Sequence, residues 1–169
     1  MPNGLTLRPA TSGDVEAVRD LHARSFAGLA RTHHSKREIA AHVELIRSAA
    51  YGDELLAANL AVAVDENDRI LATAGWQAMP DRPGTARIRK VFVDPDLARK
   101  GLGTFMVTDA EARARRCGFD RFYVRANINA VPLYRKLGYR EIGLGEMAVG
   151  DGVALPVVFM EKAGQDTEA

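Results

Sequence analysis

The spacing of apolar positions divides the chain into short alternating runs and longer stretches of helical period. Leu5-Thr6-Leu7-Arg8 alternates and predicts a first strand. Thr11-Ser12-Gly13-Asp14 carries the hydroxyl and carboxylate signature of a helix start, and Val15, Val18, Leu21, His22 and Phe26 follow at helical spacing. An irregular segment, Gly28 to His34, precedes a second helix that opens with the Ser35/Glu38 capping box and carries Ile39, His42, Val43 and Ile46 as its stripe. Leu60 to Val64, the polar turn Asp65-Glu66-Asn67-Asp68 and Ile70 to Ala78 predict a hairpin, with Ile70, Ala72, Ala74, Trp76 and Ala78 on one face. After the Pro83-Gly84 loop, Ala86 to Val93 reads as a strand whose arginines and lysine turn part of it toward solvent or ligand.

In the second half, Leu102, Phe105, Met106, Ala110, Ala114 and Cys117 fall on one half of a helix that Gly118 stops. Phe122 to Arg125 is a short strand. A short helix then starts near Asn129, tolerates Pro132 in its first turn and ends at Gly138. Glu141 to Val149 and Val153 to Glu161, joined by Gly150-Asp151-Gly152, predict a final hairpin before a polar, loose tail from Gln165 to Ala169. The predicted order is β-α-α-β-β-β-α-β-α-β-β, without repeats.

Composition narrows the picture mainly by exclusion. A length of 169 residues predicts one domain over residues 1–169. Lys and Arg number 23 against 22 for Asp and Glu, so no bulk charge points to nucleic acid or to an anionic membrane. Cys117 is the only cysteine, which rules out an intrachain disulfide, and there is no Cys/His zinc spacing, so no metal is expected. No apolar run approaches the roughly 18 residues of a membrane span, and the N-terminus lacks the pattern of a signal peptide. The expectation is a soluble cytoplasmic protein, with a homodimer left open.

The densest chemistry lies in Val91-Phe92-Val93-Asp94-Pro95-Asp96-Leu97-Ala98-Arg99-Lys100-Gly101-Leu102-Gly103-Thr104. An apolar run ends in an Asp-Pro turn, and two glycines one residue apart open a helix. Such a start is an anion site, because the first amides of a helix lack intrahelical acceptors and the helix dipole is positive there. Glycine lets the backbone press against a ligand. Together with Asn127-Ile128-Asn129-Ala130-Val131-Pro132-Leu133-Tyr134-Arg135-Lys136-Leu137-Gly138-Tyr139, this segment resembles the GNAT superfamily of acyl-CoA-dependent N-acyltransferases. The resemblance extends over the whole chain and is strongest in these two segments.

It implies an α/β fold with a mixed, largely antiparallel sheet of about seven strands and helices on both faces. It also implies acetyl-CoA as co-substrate and an amine as acceptor. The family loop reads Arg or Gln, two residues, Gly, one residue, then Gly or Ala. Gly101 and Gly103 fit, whereas Ala98 stands at the first position and Arg99 and Lys100 supply the positive charge. By resemblance, Arg99, Lys100, Gly101, Leu102, Gly103 and Thr104 hold the pyrophosphate. The backbone of Val91, Phe92 and Val93 bonds the pantetheine arm. A dinucleotide fingerprint would need a third glycine and an N-terminal βαβ unit, and a phosphate loop would need Gly-Lys-Ser/Thr; neither is present.

Acyl transfer to an amine needs a neutral amine, a stabilised oxyanion and a proton for the departing thiolate. The resemblance places Tyr134 at the family's tyrosine acid; the competing role is an aromatic packed beside Leu133 and Leu137. Asn127 matches the position that bonds the pantetheine arm or orders water, and Asn129 is the better helix cap. Many relatives carry a glutamate on the strand before the loop, but Ala86 to Val93 holds no carboxylate. Deprotonation is then expected through ordered water and backbone carbonyls, or through a residue from elsewhere in the chain. His33 and His34 lie in a segment that borders the acceptor site in the family, yet residues just before a cap are expected on the surface. His22 and His42 are expected to pack, Cys117 to sit in inert core, Asp94 to serve its turn and Trp76 to join the core. The function implied is acetyl transfer from acetyl-CoA to a primary amine of a small molecule or peptide. The alternative is a non-catalytic acyl-CoA-binding or sensing module on the same fold.

Overall fold

The computed structural model describes residues 4–164, so the predicted tail lies outside the described residues. Its elements are β1 (Thr6–Pro9), α1 (Val15–Leu29), α2 (Lys36–Ile46), α3 (Ala49–Leu56), β2 (Ala61–Val64), β3 (Ile70–Ala78), β4 (Thr85–Val93), α4 (Leu102–Arg116), β5 (Arg121–Asn127), α5 (Val131–Lys136), β6 (Arg140–Gly150) and β7 (Val153–Lys162). Both predicted helix starts are present. The Asp14 carboxylate accepts from the Thr11 amide at 2.7 Å, ahead of a single 3₁₀ turn that leads into α1. Ser35 and Glu38 bond each other reciprocally, at 3.1 and 2.7 Å. The element missing from the sequence reading is α3, opened by Ser48, whose Oγ accepts from the Tyr51 amide at 3.3 Å.

The strands form one sheet in the order β1-β2-β3-β4-β5-β7-β6, and β4–β5 is its parallel pair. Helices α4 and α5 cover one face, with Leu102, Met106, Ala110, Phe122 and Met160 in the core beneath them. Helices α1 to α3 cover the other, over Leu21, Phe26, Ile46, Leu55, Val62 and Leu155. Because both faces are covered, β2 is buried at every position. Among the described residues no helix is long and apolar enough to cross a membrane.

Three local expectations are corrected. Ile70 does not share a face with Ala72, Ala74 and Trp76: it joins the core under α1 to α3, and they join the other. Val64 pairs with Ile70 while Ala63 pairs with Ala72, so Leu71 is an extra residue that inverts the alternation. Cys117 is exposed, because it follows the last turn of α4 and leaves its stripe. Glu111 is buried on α4 instead, where it accepts from the Tyr139 hydroxyl at 2.9 Å and from Lys162 Nζ at 3.0 Å. Asn129 caps nothing; it lies within a 3₁₀ turn, Ile128–Ala130, and its Oδ1 is buried without a partner.

One feature of the sheet positions the site. β4 and β5 pair only from Thr85 to Arg87 against Arg121 to Tyr123, and then part. Along β3, Gly75 faces Arg89 and Thr73 faces Phe92, so β4 carries one residue too many between them. This bulge puts Lys90 at φ 57° and bends β4 away from its neighbour.

Candidate active site

A chain of hydrogen bonds pins the bulge from the α1–α3 side. His22 Nδ1 lies 2.7 Å from the Tyr51 hydroxyl, and its Nε2 lies 2.7 Å from Thr73 Oγ1. Thr73 Oγ1 donates to the Lys90 carbonyl at 2.7 Å. Burial, with the charge of Lys90 adding to it, drives the His22 pKa well below its ordinary value, so the ring is neutral. The donors then run one way: Tyr51 to His22, His22 to Thr73, Thr73 to the bulged carbonyl. His22 also stacks on Phe92, with ring centroids 3.9 Å apart. The packing role expected of His22 is therefore correct, and it extends to shaping β4.

Where β4 and β5 part, a cavity lies on each side of the gap. The larger, about 530 Å³, gathers Val91, Phe92, Val93, Arg99, Gly101, Gly103, Thr104, Asn127 and Tyr134 on one wall or another. Of the residues picked from the sequence as cofactor-binding, two stand apart: Lys100 is exposed outside this groove, and the Leu102 side chain is buried in the core beneath α4. The loop alternates left-handed residues, with Arg99 at φ 63° and Gly101 at φ 82°, a conformation that turns successive amides into one concavity. The Phe105 amide bonds the Gly101 carbonyl at 3.1 Å, which leaves the amides of Leu102, Gly103 and Thr104 as the first-turn donors without an intrahelical acceptor. Past Arg87, the edge of β4 that faces β5 has no ladder partner. Free first-turn amides, an open strand edge and the orphaned Asn129 Oδ1 on the groove wall fit a long polar ligand with a pyrophosphate, such as acetyl-CoA.

The smaller cavity, about 250 Å³, lies under α2 and α3 and is lined by His42, Tyr51, Glu54, Arg87, Arg89, Lys90, Arg125 and Met147 among others. Val91, Phe92, Asn127, Ala130 and Tyr134 border both spaces. Tyr134 is buried, and burial raises its phenol pKa, so the hydroxyl keeps its proton at neutral pH. Glu54 accepts from Arg89 at 3.1 Å and from Lys90 at 2.9 Å. Burial opposes its charge, but the Lys90 hydrogen bond and the neighbouring cations hold it below the usual carboxylate range.

The histidines divide. His33 is exposed and borders the larger groove; it is absent from the smaller cavity. His34 is buried beside Phe26 rather than solvated, because the last turn of α1 folds over it. His42 is packed as expected but also lines the smaller cavity, and burial together with Lys90 pulls its pKa down to about 4. Asp94 caps its turn, accepting from the Asp96 amide at 3.0 Å, and Trp76 packs in the core against Phe119. Reading the sequence missed Tyr51 and Glu54 because it missed α3. The signals were the Ser48 cap and the Tyr51–Leu55 pair one turn apart.

The sequence pattern that defines the acetyltransferase (GNAT) family matches residues 15–139, which span α1 through the turn after α5. The chain belongs to the GNAT family. Mycothiol acetyltransferase from Salinispora tropica is 34% identical over 148 residues, covering 82% of this chain and 46% of that protein. The GNAT chain thus spans about half the length of the curated relatives it matches. Among solved structures, a GCN5-related N-acetyltransferase from Rhodopseudomonas palustris superposes with a TM-score of 0.81 at 20% identity, over 94% of both chains. A GNAT-superfamily phosphinothricin acetyltransferase from Sinorhizobium meliloti, in complex with acetyl-CoA, superposes with a TM-score of 0.65 at 24% identity, over 98% of this chain and 92% of that one. These superpositions establish the fold.

Proposed function

We propose that this protein transfers the acetyl group of acetyl-CoA to the primary amine of a small acceptor. The observation that supports this best is the pair of cavities that meet at Tyr134 and Asn127, one beside an anion-binding helix start and one lined by polar side chains. Bound in the larger groove, acetyl-CoA supplies an activated thioester carbonyl. The amides of Leu102, Gly103 and Thr104 hold its pyrophosphate, with Arg99 adding charge at the rim, and the open edge of β4 at Val91 to Val93 bonds the pantetheine arm. Asn127 orients that arm or a water. The amine enters from the smaller cavity as the neutral base after losing its proton to water, and its nitrogen forms a bond to the carbonyl carbon. As the C–S bond breaks, Tyr134 gives its proton to the departing sulfur, the new amide nitrogen sheds a proton to water, and water returns one proton to the Tyr134 phenolate, so the cycle, counted from the neutral amine, closes with no net proton change. No carboxylate lies on Thr85 to Val93 to act as base.

The test pairs binding with turnover. Acetyl-CoA should bind in calorimetry, and the Gly103→Val variant should weaken it by about tenfold or more, since the added branches enter the groove between Val93 and Leu133. Release of free thiol should then depend on an added amine. Unchanged affinity in a folded Gly103→Val variant would remove the helix-start assignment. Tight acetyl-CoA binding with no amine-dependent thiol release would make the chain an acyl-CoA-sensing module.

A further inference from the structure

The walls of the smaller cavity carry Arg87, Arg89, Lys90 and Arg125 against a single carboxylate, Glu54. With His42 neutral, the surplus is three positive charges. Elsewhere the cations at structural positions are matched: Arg8 bonds Asp14, Arg24 and Arg69 share Asp94, and Arg113 bonds Asp109. Here Glu54 is already engaged by Arg89 and Lys90, and Arg89 also donates to Gln77 at 2.8 Å. Lys90 Nζ lies 3.7 Å from the centre of the Tyr51 ring. Arg87 and Arg125 have no protein partner among the described residues, and Arg87 Nε is buried with none. Burial first, and then the charges of Arg89 and Arg125, pull the Arg87 guanidinium down to about 10. A folded chain keeps such a group where a ligand supplies the missing anion.

Resting on the acetyltransferase reading above, we infer that the acceptor is a small amine bearing an anionic group close to the nitrogen, as in an amino acid, with Arg87 and Arg125 clamping that group. Arg87 is the last residue of β4 paired to β5, opposite Tyr123, and Arg125 lies two residues further along β5; both line the cavity, Arg87 half-buried and Arg125 exposed. A carboxylate held there leaves the amine directed toward Tyr134 and the groove beyond it. The cavity, at about 250 Å³, suits a ligand of amino-acid size. A diamine or a basic peptide would bring further positive charge to a space already in surplus. The same surplus disfavours the ammonium form of any bound amine, supplying by repulsion part of what a strand carboxylate supplies by proton abstraction.

The test compares matched amines in the thiol-release assay: amino acids, their carboxamides, aminoalkyl phosphonates and simple diamines. Amino acids should exceed their carboxamides in kcat/KM by about 100-fold or more, because the amide leaves the clamp unpaired. The carboxamide's amine is less basic and so more deprotonated, which biases the comparison against the proposal. A preference for phosphonates would support the clamp and assign its anion as a phosphorus oxyanion. Arg87→Gln and Arg125→Gln should each raise KM for the anionic acceptor by about tenfold or more and shrink its advantage over the amide. Arg87→Lys should recover part of the loss, while acetyl-CoA affinity by calorimetry stays the same. Equal kcat/KM for acid and amide, or a preference for diamines, overturns the acceptor assignment and leaves the acetyltransferase reading intact. If no amine is acetylated, calorimetry of the CoA complex decides: absence of saturable binding of every anionic amine overturns it. Failure to bind acetyl-CoA at all overturns the acetyltransferase reading and this inference with it.

Discussion

Three buried tyrosines lie around the site, and their hydroxyls have different fates. Tyr139 donates to Glu111 at 2.9 Å, and Tyr51 to His22 at 2.7 Å. Tyr134 faces both cavities, and its hydroxyl has no protein partner among the described residues. Its ring packs edge-on against Tyr139, so the aromatic body is structural while the polar tip is left to a ligand. In the proposed role as proton donor, Tyr134→Phe keeps the packing and removes only the proton. Its kcat should fall by about 10²–10⁴ where thiolate departure limits turnover, with acetyl-CoA affinity and melting temperature nearly unchanged. Loss of folding or of acetyl-CoA binding instead would assign Tyr134 to packing. The motif around Tyr134 was readable in the sequence. The freedom of its hydroxyl was not, since it depends on which side chains from distant segments surround it.

At the scale of elements, the β4 bulge separates the two cavities, and its neighbours leave it little freedom. Gly75 pairs with Arg89 where the bulge begins. A Cβ at Gly75 would lie 2.3 Å from the Ala58 carbonyl oxygen, which accepts the Trp76 amide at 2.8 Å. Gly75→Ala therefore cannot be absorbed by a side-chain rotation, and it should destabilise the fold by about 3 kcal/mol, near the upper end for overpacking. Urea denaturation checks this: a midpoint equal to that of the parent would mean that the loop before β2 yields freely. Periodicity located β3 and β4 to within a residue because their apolar runs are local properties. It could not locate the bulges, because an extra residue exists only relative to the strand opposite. Nor did it find α3, whose eight residues show a stripe only as Tyr51 and Leu55.

For the whole molecule, two buried histidines packed between the sheet and its helices contribute to the response to acid. His22 and His42 are held neutral, His42 with a pKa of about 4. The unfolded chain takes up protons near pH 6.5, before the folded one does, so stability is complete above that pH and declines as the pH falls toward about 4. The decline should reach about 1.4 kcal/mol per pH unit for each histidine in that window. Denaturation midpoints measured between pH 7 and 4 should show it, and His42→Gln should reduce the slope; an unchanged slope would mean that His42 protonates freely in the folded state. By itself the sequence determined what depends on near neighbours along the chain. The capped helices, the strand, glycine loop and helix start of the anion site, and the motif carrying Tyr134 are all set within a few residues. Membership of the GNAT family was legible for the same reason. Tertiary structure alone decided where β4 and β5 part, that Glu54 meets Lys90, and that Arg87 and Arg125, 38 positions apart, converge on one cavity whose carboxylate is bonded to other cations. Those are pairings between distant segments, and their energies depend on burial and on the charges opposite, which no local pattern encodes.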